Sequence, residues 1–298
     1  MEDRIIGSLV GLACGDAVGT TLEFASRGSF EPIEDMVGGG PFNLKKGQWT
    51  DDTSMALCLA HSLLRKKAFD PTDQMNRYCD WYRDGYMSSN GKCFDIGMTV
   101  SDALRKYQET RNPFSGSIDQ FSSGNGSIMR LAPIPIYYFG DIDACIKYAG
   151  ESSRTTHGSP LCIESCELFG YLIHKAFNAN SKNEIFQAIP GNFCAELLPI
   201  SEFSFNTLEY MELTGSGYVI ESLISALWCF YHGENFKDAI LLAANIGNDA
   251  DTTAAICGQI AGAYYGYSDI PKEWRESITM AGEIKQLALD LYRAGLAS

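Results

Sequence analysis

Small residues recur at every fourth position in two segments near opposite ends of the chain. The two series are Gly7, Gly11, Gly15 and Gly19, and Ala254, Gly258, Gly262 and Gly266. On a helix, residues four apart share one face, so each series forms a flat stripe without large side chains. Each interior glycine costs roughly 0.5–1 kcal/mol relative to alanine, and close approach of another backbone is the simplest compensation. We therefore expect the two helices to cross closely in the centre of the molecule, which would bring residues near Asp16 toward those near Asp251.

Helical periodicity dominates the rest of the chain, and alternating runs of β-branched residues are almost absent. This pattern predicts an all-α protein. The predicted helices span residues 4–18, 53–67, 71–84, 100–109, 161–177, 218–231, 236–244, 252–265 and 283–294. Two irregular stretches, residues 26–48 and 178–217, contain aromatic residues that would anchor them to a core. At 298 residues and 45% hydrophobic content, we expect one compact multi-helix domain spanning residues 1–298.

The balance of charges limits the classes of partner. A formal net charge of −14 argues against capture of nucleic acid or an anionic membrane surface, because those partners need a basic footprint. The ten cysteines are scattered without a CxxC pair, which is typical of a cytoplasmic protein. The longest apolar stretch, residues 5–14, is shorter than the roughly 18 residues of a membrane span, and the first residues lack the basic region of a signal peptide. We expect a cytoplasmic protein, by default a monomer, without a membrane or nucleic acid partner.

Two acidic, threonine-containing motifs each lie immediately before a predicted helix. Their oxygen-bearing side chains belong to Thr50, Asp51, Asp52, Asp249, Asp251 and Thr252. Alone, the first motif is more typical of a helix N-cap, in which one side-chain oxygen satisfies backbone N–H groups. Together, the motifs offer more carboxylate oxygen than two caps require, and in one place they would repel one another unless cations neutralised them. Oxygen ligands without histidine or thiolate favour Mg²⁺ or Mn²⁺.

The sequence resembles a known group of enzymes, the ADP-ribosylglycohydrolase family. This family includes the dinitrogenase reductase activating glycohydrolases and the ADP-ribosylarginine hydrolases. The resemblance covers nearly the whole chain, and its motifs occur in a specific order and spacing. They are residues 11–19 with Glu23, residues 49–53, 94–97 and 124–130, Thr156-His157, and residues 247–253 followed by 258–266. The resemblance implies an all-helical fold with two Mg²⁺ or Mn²⁺ ions in a central cleft.

The resemblance also implies roles for individual residues in the two acidic motifs. Thr50, Asp51 and Asp52 would be ligands of one ion. Asp249 and Thr252 would be ligands of the other, and Asp251 would bind both. Asn248 stands where many relatives have Gly or Asp, but the ligand positions are intact. We therefore expect a competent metal site.

Further positions correspond to catalytic and substrate-binding residues of the family. Glu23 and Asp95 are both candidates for the carboxylate that orients or deprotonates water against an oxocarbenium-like centre. The predicted substrate-binding residues are Gly124, Asn125, Gly126, Ser127, Met129 and His157. The backbone N–H groups of this glycine-rich segment, at a helix start, would cradle a pyrophosphate, although Asn-Gly by itself is an ordinary turn signal.

These features predict a metal-dependent hydrolase that cleaves the glycosidic bond between ADP-ribose and a modified target. Its partner would be an ADP-ribosylated protein or a small ADP-ribosyl conjugate, with protein arginine as the preferred linkage. Serine-linked ADP-ribose and O-acetyl-ADP-ribose are alternative substrates. A catalytically inactive binding or structural relative is a second class of function, and a dinuclear phosphohydrolase is a third.

Overall fold

A computed structural model of the protein describes residues 1–191 and 193–297. Within these residues the chain is all-α, and the β-type pairs are isolated bridges. The helices are α1 Glu2–Gly19, α2 Asp51–Lys66, α3 Pro71–Asp84, α4 Met98–Thr110, α5 Pro133–Tyr137, α6 Ile142–Arg154, α7 Pro160–Ala176, α8 Lys182–Ile185, α9 Leu198–Ser201, α10 Val219–His232, α11 Phe236–Ala244, α12 Ala250–Tyr265, α13 Lys272–Ser277 and α14 Ala281–Leu296. One hydrophobic core contains side chains from both ends of the chain. The predicted all-α class and compact single core are confirmed.

Helices α1 and α12 lie side by side in the centre of the fold, as the two stripes predicted. A Cβ atom at Gly11 would overlap the carbonyl oxygen of Gly258, and one at Gly258 would overlap the carbonyl oxygen of Gly11. Gly15 and Ala254 are related in the same way, because a Cβ at Gly15 would meet the Ala254 carbonyl. The missing side chains therefore allow backbone-to-backbone packing, and this packing brings Asp16 close to the start of α12.

Helix α1 is also long and apolar enough to cross a membrane by length and composition alone. In this structure its apolar window is almost entirely buried inside the protein. Residues 5–19 are buried on every side of the helix. A helix that is hydrophobic all round is expected at the centre of a fold, where other helices surround it.

The structure differs from the predicted helices in two informative places. Helix α6 was not predicted, although its buried residues, among them Cys145, Ala149 and Ser152, lie on one face at a helical spacing. Helices α2 and α12 each begin two residues earlier than predicted, at Asp51 and Ala250. Asp51, Asp52 and Asp251 therefore lie in the first helical turns, and Asp249 lies at the N-cap of α12.

Candidate active site

The start of α2 is capped by a residue from another helix. The carboxylate of Asp16, in α1, accepts hydrogen bonds from the backbone N–H groups of Thr50 (2.9 Å) and Thr53 (3.0 Å). It also accepts from the hydroxyls of Thr50 (2.9 Å) and Thr53 (2.6 Å). Thr50 occupies the N-cap position but makes no side-chain cap of its own. The first acidic motif therefore does not serve as a helix cap, and its side chains are available for another purpose.

The start of α12 is arranged in the same way. Asp249 occupies the N-cap position without a side-chain cap, and the carboxylate of Glu23 accepts a hydrogen bond from the backbone N–H of Ala250 at 2.9 Å. Two backbone hydrogen bonds hold the Glu23 loop in place, from Phe24 N–H to the Asn248 carbonyl (2.6 Å) and from Asn248 N–H to the Ala25 carbonyl (2.7 Å). Sequence reasoning predicted Glu23 as a catalytic candidate, and the structure adds this capping contact.

With both caps supplied from outside, the acidic side chains of the two motifs meet. The Thr50 hydroxyl lies 3.3 Å from a carboxylate oxygen of Asp251, 201 positions further along the chain. Carboxylate oxygens of Glu23, Asp249 and Asp251 lie within 4.8 Å of one another. Asp52 is buried, and its Oδ1 atom has no hydrogen-bond partner among the described residues. The predicted convergence of the two motifs is confirmed.

Burial and the negative charges of neighbouring carboxylates raise the pKa of the acidic groups in this cluster. Burial, together with the charge of Asp95, raises the pKa of Asp251 to about 7. Burial and the charge of Asp251 raise the pKa of Asp249 to about 7, and the same two causes raise the pKa of Glu23. Burial also raises the pKa of Asp52 well above its ordinary value. Without a compensating positive charge, these carboxylates cannot all be ionised at neutral pH.

This arrangement fits a divalent cation. The donors are carboxylate and hydroxyl oxygens, which are the ligands that hard ions prefer. A buried carboxylate oxygen without a partner, such as Oδ1 of Asp52, is energetically costly unless a cation or another polar group contacts it. The helix dipoles oppose a cation here, but each contributes only about half a unit of charge. The residues present therefore fit the group that the sequence predicted.

A cavity of about 680 Å³ opens onto this cluster. Predicted site residues along its wall are Glu23, Asp51, Asp95, Gly124, Asn125, Gly126, Met129, His157, Asp249, Asp251 and Thr252. Thr50 and Asp52 are buried behind the wall. The first turn of α4 and two glycines, Gly215 and Gly217, complete the cavity. The structure thus brings candidates from six separate sequence motifs to one pocket.

One prediction for residues 124–130 needs correction. The segment does not begin an α-helix, since residues 126–130 form turns and α5 begins only at Pro133. The Ser127 side chain is buried below the cavity, where its oxygen accepts hydrogen bonds from Ser153 (2.9 Å) and Cys166 (3.4 Å). The hydroxyl of Ser127 therefore faces the interior and not the pocket.

The Asn125 side chain connects the glycine-rich segment to the acidic cluster. Its amide donates hydrogen bonds to Asp249 at 2.7 Å and to the Ser222 hydroxyl, in α10, at 2.8 Å. Its backbone N–H donates to the carbonyl of Gly217 at 3.0 Å. Asn125 therefore positions a metal-ligand candidate, besides lining the pocket.

Comparison with known proteins agrees with this geometry. Residues 1–297 match the family model described as ADP-ribosylglycohydrolase. The chain belongs to the ADP-ribosylglycohydrolase family.

Individual members of the family are similar over most of their length. The chain is 42% identical to "ADP-ribosylarginine hydrolase Tri1" of Serratia proteamaculans (strain 568), over 97% of this chain and 79% of that one. It is 30% identical to "ADP-ribosyl-[dinitrogen reductase] glycohydrolase" of Rhodospirillum rubrum, over 95% of this chain and 92% of that one. A solved structure titled "ADP-ribosylglycohydrolase-related protein complex" superimposes with a TM-score of 0.88 at 39% identity, covering 99% of this chain and 98% of that chain.

Sequence reasoning missed several residues that build this ADP-ribosylglycohydrolase site. Asp16 was expected near Asp251 but was given no function, and the structure shows it as the cap of α2. Gly97, at the N-cap of α4, also lines the pocket. Gly215 approaches the backbone so closely that a Cβ there would overlap the Gly247 carbonyl. The signal that the sequence offered for Asp16 was an aspartate within the apolar, glycine-striped helix.

Proposed function

We propose that this protein is a divalent-cation-dependent hydrolase that releases ADP-ribose from ADP-ribosylated arginine. Family membership and the names of the relatives support cleavage of an ADP-ribosyl bond, and the relative at 42% identity is named for arginine. The observation that carries the proposal is the capping of both helix starts from outside the motifs. Because Asp16 and Glu23 make those contacts, the motif carboxylates can converge on a pocket.

The proposed ligands of the two cations, Mg²⁺ or Mn²⁺, come from both motifs. They are Thr50, Asp51 and Asp52 for one ion, Asp249 and Thr252 for the other, and Asp251 for both. Cations bound there would polarise the ribose hydroxyls and water next to the anomeric carbon. The buried, unpartnered oxygen of Asp52 and the mutual proximity of Glu23, Asp249 and Asp251 support this assignment.

We propose that Asp95 orients and deprotonates the attacking water, and that Glu23 assists by positioning α12. Both carboxylates line the pocket, and the charge of Asp95 raises the pKa of Asp251, so the two groups are close. The Glu23 carboxylate is engaged by the backbone of α12. Asp95 has a left-handed backbone conformation (φ 61°), a strained geometry that is common at functional sites.

The other pocket residues would hold the rest of the ADP-ribose. Gly124 and Gly126 present backbone without side chains to the pocket, which allows close approach of a pyrophosphate. Met129 and His157 line the same wall. For Ser127, only the backbone is proposed to contribute. The partner would be an ADP-ribosylated protein or a small ADP-ribosyl conjugate.

We also propose a cytoplasmic location and a single functional domain covering residues 1–298. All ten cysteines are free in the structure, and most are buried. Unpaired, buried thiols are expected in a reducing compartment. One shared hydrophobic core supports the single domain.

The decisive experiment compares three substrates with the purified protein and magnesium. These are ADP-ribosylarginine, a serine-linked ADP-ribosyl peptide and O-acetyl-ADP-ribose, with released ADP-ribose measured by chromatography. We expect the highest kcat/KM for the arginine conjugate and loss of turnover with EDTA, restored by Mg²⁺ or Mn²⁺. Preference for another linkage would overturn the arginine assignment. Release of phosphate without release of ADP-ribose would overturn the assignment as a glycohydrolase.

A further inference from the structure

Arg130 is a fully buried cation that holds two edges of the pocket. Its side chain has no exposed surface, and it makes no ion pair with a carboxylate in the described parts of the chain. The guanidinium donates hydrogen bonds to the carbonyl of Gly126 at 2.9 Å and to the hydroxyl of Thr156 at 2.7 Å, and it lies over the ring of Tyr78. Burying a charge without a counter-ion is costly, so this contact set indicates a positional function.

The Thr156 hydroxyl connects Arg130 to the pocket. Its oxygen lies 2.9 Å from Nδ1 of His157, and the side chain of Thr156 is fully buried. Because arginine can only donate, the Thr156 oxygen is the acceptor from Arg130. The single hydroxyl proton then needs an acceptor, and Nδ1 of His157 is its partner among the described residues. Protonated Nδ1 would instead leave that buried hydroxyl proton without a partner.

This constraint determines which ring nitrogen of His157 carries the proton. A neutral imidazole whose Nδ1 accepts a hydrogen bond must be protonated on Nε2. Nε2 lies at the pocket side of the ring, since a Cβ at Gly126 would be 3.2 Å from it and His157 lines the cavity. We propose that Arg130, acting through the Thr156 hydroxyl, fixes His157 as the Nε2–H tautomer, so that the ring offers a permanent hydrogen-bond donor to an oxygen of the bound ligand.

The electrostatic surroundings agree with a neutral ring. Burial, with a further contribution from the positive charge of Arg130, lowers the pKa of His157 to about 3. His157 is therefore a donor that does not change charge at physiological pH, and Arg130 and Thr156 are positioning residues. The identity of the ligand oxygen, on ADP-ribose, rests on the proposed function, but the tautomer is a property of the free protein.

The tautomer can be measured in the ligand-free protein by ¹⁵N NMR of histidine-labelled samples. Loss of one spin system in His157→Gln would assign the signal among the four histidines. We expect a protonated Nε2 and an unprotonated Nδ1 in the wild type, unchanged between about pH 5.5 and 8. A protonated Nδ1, or titration of the ring in that range, would overturn the proposal.

The matched variants are Thr156→Val and Thr156→Ser, which differ in retention of the hydroxyl. Thr156→Val should give a mixture of tautomers, whereas Thr156→Ser should keep Nε2–H. Equal spectra for the two variants would contradict the proposed action of Arg130 on His157 through the Thr156 hydroxyl. These substitutions leave Arg130 in place, and melting curves identify any variant that fails to fold.

Kinetic constants of the Thr156 variants distinguish a loss of the hydrogen bond to His157 from a general disruption of the fold. With ADP-ribosylarginine, Thr156→Val should raise KM roughly tenfold with kcat nearly unchanged, because one ligand hydrogen bond is weakened. Thr156→Ser should restore KM. A fall in kcat with unchanged KM in Thr156→Val would contradict a ligand-binding role. If no ADP-ribosyl substrate is hydrolysed by the wild type, the proposed function fails, while the NMR result still decides the tautomer.

Discussion

The first turns of α2 and α12 expose the same kind of backbone N–H groups but receive their caps from different kinds of structure. Asp16, which caps α2, lies inside α1 and is fully buried. Glu23, which caps α12, lies in the loop after α1 and lines the pocket. Its neighbour Phe24 has 66% of its surface exposed and a left-handed backbone (φ 62°). One half of the site is therefore fixed by helix packing and the other by a loop.

This difference assigns separate tasks to two otherwise similar acidic residues. Asp16 makes four hydrogen bonds to Thr50 and Thr53 and is not part of the cavity wall. Glu23 combines a cap with a position beside Asp249 and Asp251. We infer that the α2 half supplies rigidity and that the α12 half can respond to a ligand. Substitutions on each side should therefore affect stability and turnover in different proportions.

The largest effect is expected for Asp251→Asn, because Asp251 belongs to both halves. Its carboxylate contacts the Thr50 hydroxyl and lies in the oxygen cluster with Glu23 and Asp249. We expect affinity for Mn²⁺, measured by isothermal titration calorimetry, to fall at least about 100-fold, and turnover to fall to background.

The matched control for Asp251→Asn is Asp143→Asn. Asp143 also lies in the first turn of a helix, α6, but is exposed and far in sequence from the acidic motifs. This control should bind Mn²⁺ like the wild type. Full magnesium-dependent turnover by Asp251→Asn would refute the shared-ligand assignment and with it the comparison of two halves.

The next effect concerns stability on the α2 side. Asp16→Ala removes the acceptor of two buried N–H groups and two buried hydroxyls, which water cannot reach easily. We expect the free energy of unfolding in urea, with magnesium present, to fall by about 2–4 kcal/mol. A loss below about 0.5 kcal/mol would show that helix packing alone holds the α2 start, since even one lost cap normally costs more.

On the α12 side, Glu23→Gln should change turnover more than stability. The glutamine carbonyl can still accept the hydrogen bond from Ala250, so the free energy of unfolding should change by less than about 1 kcal/mol. The charge beside Asp251 is lost, and we expect kcat to fall roughly tenfold or more.

For Asp95→Asn, which removes the proposed water-activating carboxylate, we expect kcat to fall about 100-fold. The reverse order of the two kcat values would move the catalytic assignment to Glu23.

Some of this architecture is encoded locally enough to be predicted from sequence. The glycine stripes predicted the α1–α12 crossing, because a flat helix face has one simple physical use, the close approach of another backbone. The repeated acidic motifs predicted convergence, because their carboxylates exceed what two caps need. Both predictions depend on spacing within a few helical turns, which the sequence shows directly.

Other features depend on contacts between distant segments and could not be predicted. An N-cap function for the first motif was a reasonable interpretation until Asp16 was seen to provide that cap from α1. The relay from Arg130 to His157 passes through Thr156, which is twenty-six positions from Arg130 and is brought to it only by the fold.

The smallest expected effect tests the backbone that joins the Glu23 loop to α12. Asn248 has a left-handed conformation (φ 58°), which asparagine tolerates better than most residues, and it exchanges backbone hydrogen bonds with Phe24 and Ala25. Asn248→Ala should lower the free energy of unfolding by about 1 kcal/mol. Asn248→Gly, which accepts this conformation without strain, should stay within about 0.5 kcal/mol of the wild type. The side chain of Asn248 is exposed. Equal losses of stability in both variants would mean that contacts of the Asn248 side chain, and not its backbone conformation, stabilise this side of the site.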